Sequence, residues 1–190
     1  MGKIVITPER IIRSSWQIYT IGHSNRTAGE FLAILEAFKI LAVADVRRFP
    51  SSRAFPHFNR EVLRGLVEER GIEYEWFEEL GGRRHGKVDE KSPHTALISA
   101  GFRNYADYMM TDAFRVAVGK LIDLGNRKRT AILCAEKLFW KCHRRLLSDY
   151  LLAHHVSVLH ILDHGNVQNH SLTKGAVITE ERKVVYSGIH

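Results

Sequence analysis

Leu41-Ala42-Val43-Ala44-Asp45-Val46, LAVADV, carries a single polar residue. Six residues are short for a helix. A run that is apolar at successive positions, not at alternate ones, suits a strand covered on both faces. The flanks agree. Thr27-Ala28-Gly29-Glu30 matches the capping box of a helix start, with Thr27 as N-cap and Glu30 at N3. Phe31, Leu35 and Phe38 follow at helical spacing. Before that helix, Trp16 to Gly22 (WQIYTIG) reads as a strand. After LAVADV, Asn59 can cap a second helix with Val62, Leu63, Leu66 and Val67 as its apolar stripe and Gly71 as its stop. Ile72, Tyr74 and Trp76 then alternate with charged residues as a third strand.

The alternation continues. Lys87 to Ser99 reads as a loop or lid. Gly101 to Gly125 reads as helix, interrupted near Thr111, which can cap the second piece, and stopped by Gly125. Thr130 to Cys134 is a fourth strand and Val156 to Leu162 a fifth. Between them, Trp140 to His155 is helical, with Leu146, Leu147, Tyr150 and Leu151 on its apolar face. Val177 to Tyr186 is a hairpin or an irregular wrap. This order predicts a three-layer α/β fold: a mostly parallel five-stranded sheet with helices on both faces and right-handed crossovers. A single domain over residues 1–190 is expected, with 177–190 as a tail.

Composition narrows the function classes. The chain has 190 residues, 45% of them hydrophobic, which suffices for a full core. No apolar run approaches the roughly 20 residues of a membrane span. MGKIVITPER lacks the apolar centre of a signal peptide, so a cytoplasmic location is expected and a membrane partner is not. Two cysteines make no disulfide framework. The net charge of +7, with cations gathered at Arg47/Arg48/Arg53, Arg83/Arg84/Lys87, Arg127/Lys128/Arg129 and Lys141/Arg144/Arg145, suits a polyanion. Nucleic acid or a nucleotide is the expected partner, and no cofactor is expected.

In open parallel sheets, ligands sit beyond the carboxyl ends of the strands. The segments leaving the five strands are GHSNR, RRFPSSR, EELGGRR, CAEK and DHGN, all polar and mostly bearing a cation or a glycine. The segments entering the strands, such as Phe38-Lys39-Ile40, are blander. The chemically capable groups should therefore share one edge, with Arg47, Arg83 and Arg144 around one hollow.

At these loops the chain closely resembles the domain-of-unknown-function 488 family. TIGHSNRT (20–27), ADVRRFPSSR (44–53), ELGGRR (79–84), FRNYADYM (102–109) and CAEKLFWKCHRRLL (134–147) carry the resemblance, over roughly residues 17–176. The family pattern often has a proline between Glu136 and Cys142, where this chain has Leu138-Phe139-Trp140. The resemblance implies an α/β fold and little about activity.

The stretch CAEKLFWKCHRR (134–145) holds both cysteines and admits three readings. A metal would need Cys134, Cys142 and His143. The spacing matches no usual zinc pattern, and adjacent residues on a helix point about 100° apart, so no metal is expected. A nucleophilic thiol would be Cys142 in the first turn of a helix beside His143 and Arg144, giving thiol or sulfur-transfer chemistry. An anion site would use that helix start with the forked donors Arg144 and Arg145, joined by Arg47, Arg48, Arg53, Arg83 and Arg84 from other strand ends. Gly81 and Gly82 can offer backbone N–H groups, and Ser24 and Tyr105 hydroxyls. Asp45 and Glu136 are the candidate carboxylates for activating water, with His23 or His143 to carry the proton. Phe49, Tyr74, Trp76, Phe102, Tyr105 and Trp140 could stack bases. His154, His155, His160, His164 and His170 are too irregularly spaced to suggest ligands. The combined expectation is a protein that binds a phosphate-bearing ligand or nucleic acid at the carboxyl edge and hydrolyses a base or backbone linkage. The alternatives are a non-catalytic nucleic-acid binding module and cysteine chemistry through Cys142.

Overall fold

The computed structural model describes residues 17–84, 86 and 88–188. Trp16 and Lys87 lie outside the described residues. LAVADV forms strand β2 (Ala42–Asp45), buried along its whole length. On one side it pairs in parallel with β3 (Glu73–Trp76), on the other with β4 (Thr130–Cys134). β4 in turn pairs with β1 (Gln17–Gly22), and β1 with β5 (Ser157–Asp163), again in parallel. A sixth strand, β6 (Asn166–Asn169), turns back antiparallel on β5, giving the order β3-β2-β4-β1-β5-β6. The predicted five-stranded sheet therefore gains an edge strand. Its residues NVQN are all exposed and carry no apolar pattern, which suits an edge that must not attract further strands.

Strand alternation sorts the side chains onto two faces. Tyr19, Ile21, Val43 and Leu133 face α1 (Ala28–Ala37) and α2 (Arg60–Glu68), whose Phe31, Leu35, Leu63 and Val67 complete that layer. Ile18, Ala44, Ile132 and Cys134 face α3 (Ala100–Met109), α4 (Asp112–Arg127) and α5 (Arg144–Ala153), which supply Tyr105, Phe114, Leu121, Leu146 and Leu147. The chain leaves β1 toward one side of the sheet and leaves β4 toward the other. Neighbouring strands whose exits diverge mark the crevice where ligands of such sheets lie.

Local chemistry explains the boundaries. Thr27 accepts from the Glu30 N–H and the Glu30 carboxylate accepts from the Thr27 N–H, so the capping box starts α1. Thr111 caps α4 through the Phe114 N–H. Asn59 stands before α2, but its side chain accepts from the Ser52 N–H at 2.6 Å and stitches the RRFPSSR loop instead of capping. α4 runs through Gly125 to Arg127, because the glycine is buried in the last turn and extended Lys128 ends the helix. The region predicted helical from Trp140 is divided. Phe139–Lys141 is a 3-10 turn, Cys142 is extended (φ −123°, ψ 150°), and α5 starts only at Arg144. The tail forms a hairpin of β7 (Ala176–Ile178) and β8 (Val184–Tyr186).

Gly22 closes β1 where the β4–α5 connection crosses it. A Cβ there would run into the Glu136 carbonyl and come within 2.9 Å of the Arg144 guanidinium. Gly22→Ala is expected to destabilise the protein by about 3 kcal/mol, read as a lowered urea midpoint. Gly29→Ala, on an open face of α1, is expected to leave stability unchanged or raise it by about 0.5 kcal/mol.

Candidate functional site

Asp45 ends β2 fully buried, and every contact it makes holds it in place. Arg47 donates through Nε to both carboxylate oxygens (2.9 and 3.0 Å) and through Nη2 to Oδ2 at 2.5 Å. The Tyr74 hydroxyl donates to the same Oδ2 at 2.6 Å. Arg47 Nη1 donates to the Phe58 carbonyl at 2.7 Å and lies 3.4 Å from His23 Nε2. His23 gives its Nδ1–H to the Ser24 carbonyl at 2.9 Å, which leaves Nε2 as the unprotonated nitrogen facing Arg47. The ring stacks on Phe58 with centroids 4.1 Å apart. Burial pulls the His23 pKa down from 6.5 to about 4, outweighing the Ser24 bond that favours the charged form. Burial also raises the Tyr74 hydroxyl, and the Asp45 charge adds to it.

A second cluster occupies the other face. Cys134 ends β4, and the 3-10 turn brings Cys142 and His143 back over it. His143 Nδ1 lies 3.9 Å from the Cys134 sulfur and 3.6 Å from the Cys142 sulfur. All three residues are buried. Burial pushes the Cys142 thiol up, but the Cys134 hydrogen bond and the nearby His143 and Arg144 charges prevail and hold it well below the usual thiol range. The same bond, with burial, raises Cys134. Arg144 is 1% exposed. Its Nε donates to the Cys142 sulfur and Nη1 to the Thr20 hydroxyl, both at 3.4 Å. Nη2 donates to the Glu136 and Lys137 carbonyls.

The sequence-predicted residues thus share the carboxyl edge but not one hollow. Arg47 and Arg144 lie on opposite faces of the sheet, joined through backbone bonds from His23 and Ser24 to the Cys134 and Ala135 carbonyls, each 2.9 Å. Arg53, Arg83 and Glu136 are exposed. Arg48 pairs with Glu78 at 3.1 Å. Arg84 lies 3.5 Å over the Tyr108 ring and donates to the Glu79 carbonyl. Gly81 backs onto the Arg48 backbone, and Gly82 onto the His143 ring, where a Cβ would collide. Ser24 takes a positive φ of 54°, and its hydroxyl donates to Asn25. Tyr105 is buried and donates to the Leu80 carbonyl at 3.0 Å.

Two features escaped the sequence reading. One is a cavity of about 390 Å³ bordered by Phe102, Phe139, Arg145, His170, Thr173 and Lys174. The other is a buried hydrogen-bond chain. Asp149 can only accept, so His170 Nε2–H donates to it (2.9 Å) and His160 Nε2–H donates to His170 Nδ1 (3.0 Å). Thr20 O–H then donates to His160 Nδ1 at 2.7 Å, and Arg144 donates to Thr20. The Tyr186 hydroxyl and the Thr173 N–H, each 2.8 Å from Asp149, fasten the tail to the same carboxylate. The signal that could have found it is Asp149 itself, a carboxylate inside the apolar stretch Leu146–Leu151.

This geometry can be set beside known proteins. Residues 27–151 match the family described as Domain of unknown function DUF488. The chain belongs to the DUF488 family. No curated protein and no solved structure matches it. The span matched to DUF488 opens at the Thr27 cap and includes Asp45, Arg47, both cysteines, His143, Arg144 and Asp149. His23, His160, His170 and Tyr186, which complete both buried networks, come from segments outside the matched span.

Asp45→Asn strips Arg47 of its buried counter-charge. A loss of about 3–5 kcal/mol is expected in urea unfolding, against less than about 0.5 kcal/mol for exposed Glu136→Gln. Burial lowers His23 to about 4 and His160 to about 2, both from 6.5. Folded values below unfolded ones mean that protonation favours unfolding. Their stabilisation is complete above pH 6.5 and declines as pH falls, for His23 between 6.5 and 4. Relative to wild type, His23→Gln should therefore lose acid sensitivity in that window by about 1 kcal/mol per pH unit, measured as stability against pH. Parallel curves would show that His23 is not a buried neutral base.

Proposed function

We propose that this DUF488 protein binds a phosphate-bearing ligand, a nucleotide or the end of a nucleic-acid strand, in the cavity beside α5. One observation carries the reading: among the described residues, no protein acceptor meets the Arg145 guanidinium, which lies 4.8 Å over the Phe102 ring. Arg47 and Arg144 already have their donors engaged. Arg145 is a forked donor left for an anion, and phosphate matches that fork. The Thr173 hydroxyl, also without a partner, and exposed Lys174 border the same space. Ser99 stands at the start of α3 on the cavity rim and makes no side-chain cap bond, which leaves first-turn N–H groups for an anion. Phe102 and Phe139 supply apolar surface for a base. A volume of about 390 Å³ falls within the usual range for small-molecule sites.

Hydrolysis of a base or backbone linkage is the catalytic version of this reading. It needs a carboxylate able to accept a proton. Asp45 is bound by Arg47 and Tyr74, whereas Glu136 is exposed with no side-chain partner among the described residues. Cysteine chemistry is the second reading, favoured by the Arg144 Nε–H donated to the Cys142 sulfur.

The test is titration of the full chain with nucleoside mono- and diphosphates and with short DNA and RNA strands, followed by mass analysis of products. Arg145→Ala should weaken binding at least about tenfold, the loss of one charge-assisted hydrogen bond. It should also flatten the salt dependence of strand binding by about one unit of slope. Equal binding by wild type and Arg145→Ala would overturn the assignment of the cavity.

A further inference from the structure

We infer that Cys134, Cys142 and His143 form a binding site for a thiophilic d10 metal ion, Zn(II) or Cu(I). The three ligating atoms, two sulfurs and the His143 Nδ1, all lie within 4.8 Å of one another. The two N···S separations are 3.6 and 3.9 Å. An ion bonded tetrahedrally to sulfur at about 2.3 Å and to imidazole nitrogen at about 2.0 Å has N···S edges of about 3.5 Å. The donors stand close to that spacing.

The backbone explains how an unpromising spacing produces this. Were Cys142 and His143 successive residues of a helix, their side chains would diverge. Cys142 is instead extended, with its N–H tied to the Phe139 carbonyl at 3.0 Å, and His143 is the turn into α5. That kink lets neighbouring residues aim at one point, opposite Cys134 at the end of β4. Of the two grounds for expecting no metal, the unusual spacing stands, but the divergence of Cys142 and His143 assumed a helix that starts only at Arg144.

The surroundings support a built site. The imidazole is held edge-on by Tyr105 at 5.0 Å, and Gly82 lies against it where any Cβ would displace the ring. Among the described residues, His143 Nε2 is buried without a partner, so no protein bond fixes a tautomer that would place a proton on Nδ1. Arg144 Nε donates to the Cys142 sulfur, the kind of outer contact that orients a thiolate ligand. Two soft thiolates with one imidazole nitrogen select Zn(II) or Cu(I) over hard cations. Charge separates the two ions. Two thiolates and Cu(I) leave one negative charge, which Arg144 balances, and three donors suffice. Zn(II) would take a fourth ligand from outside the chain, as three-ligand zinc sites do.

The experiment uses the full chain, reduced and metal-free under anaerobic conditions. Co(II), a spectroscopic stand-in for Zn(II), and Cu(I) are titrated separately, each against a competing chromophoric chelator. The expected result is one ion per chain for at least one of them. With Co(II) this brings a thiolate charge-transfer band and tetrahedral d–d bands that Zn(II) abolishes; with Cu(I), protection of both thiols from alkylation read by mass spectrometry. Cys142→Ser and Cys134→Ser should each weaken binding at least 100-fold, and Gly82→Ala at least tenfold by displacing the ring. Should a serine variant fail to fold, the wild-type stoichiometry and thiol protection still decide. Failure of both ions to bind the reduced wild type at one per chain would falsify the proposal. So would unchanged affinity in a folded Cys142→Ser, or a Cys134–Cys142 disulfide forming in air in a chain that takes up neither ion.

Discussion

A guanidinium buried in a protein must find an acceptor for each of its N–H groups, because water is no longer there to provide one. Arg144 heads the fully buried side chains among the described residues, and its acceptors lie on three separate segments. The Thr20 hydroxyl belongs to β1, the Glu136 and Lys137 carbonyls to the β4–α5 connection, and the Cys142 sulfur to the entry of α5. Satisfying them draws the connection down across the end of β1. Gly22 follows from this: only a residue without a Cβ leaves room for the Glu136 carbonyl that Arg144 holds. The 3-10 turn and the extended Cys142 are the path that remains for a chain pinned at both ends. The cysteine–histidine cluster is thus a consequence of how one arginine is desolvated.

The sheet explains why the carboxyl edge bears two networks instead of one. Strand residues alternate between faces, so Asp45 points toward α1 and α2 while Cys134, at the end of the next strand, points toward the other helices. The Asp45–Arg47–Tyr74–His23 group is closed by short bonds to protein atoms, and such ion pairs are costly to break yet contribute little net stability over an apolar core. It fixes where the RRFPSSR loop departs: Arg47 ties to Phe58, and the Trp76 indole N–H donates to the Arg47 carbonyl at 2.9 Å. The Cys134 side differs. Its polar atoms are two sulfurs, weak hydrogen-bonding partners, and one imidazole that only those sulfurs approach through Nδ1.

How far the sequence could be read follows from the range of each interaction. LAVADV and the Thr27 capping box are local: burial on both faces shows in six residues, and a cap bond spans three. Both were legible, and the parallel sheet came with them. Asp45 and Arg47 stand two residues apart at a strand end, so their pairing was also within reach. β6 was not legible, because an edge strand is selected for polarity and NVQN has no period to detect. The kink at Cys142 was hidden because the acceptors that impose it are Thr20, far upstream, and carbonyls that no side chain advertises. Asp149, His160 and His170 join an α-helix, a strand interior and a loop. Only the fold brings those three periodicities together, so their spacing in the chain carries no pattern.

The paired arginines at the start of α5 show the limit of reading a cationic motif as one unit. Consecutive helical residues project about 100° apart. Arg144 therefore turns in, toward β1 and the sulfur of Cys142, while Arg145 turns toward Phe102 and the cavity. The inner guanidinium donates to the protein through all three nitrogens; the outer one makes no hydrogen bond among the described residues. The helix that separates the two side chains also keeps their surroundings in register. Arg144 reaches Thr20, Thr20 reaches His160, and His160 reaches His170, a residue that lines the same cavity as Arg145. Two neighbouring cations in sequence are thus separated by burial and rejoined by a hydrogen-bonded path whose donors all run one way. A charge on the Arg144 side polarises each bond toward Asp149. The doublet is one charge committed to the fold beside one that makes no hydrogen bond to the protein among the described residues.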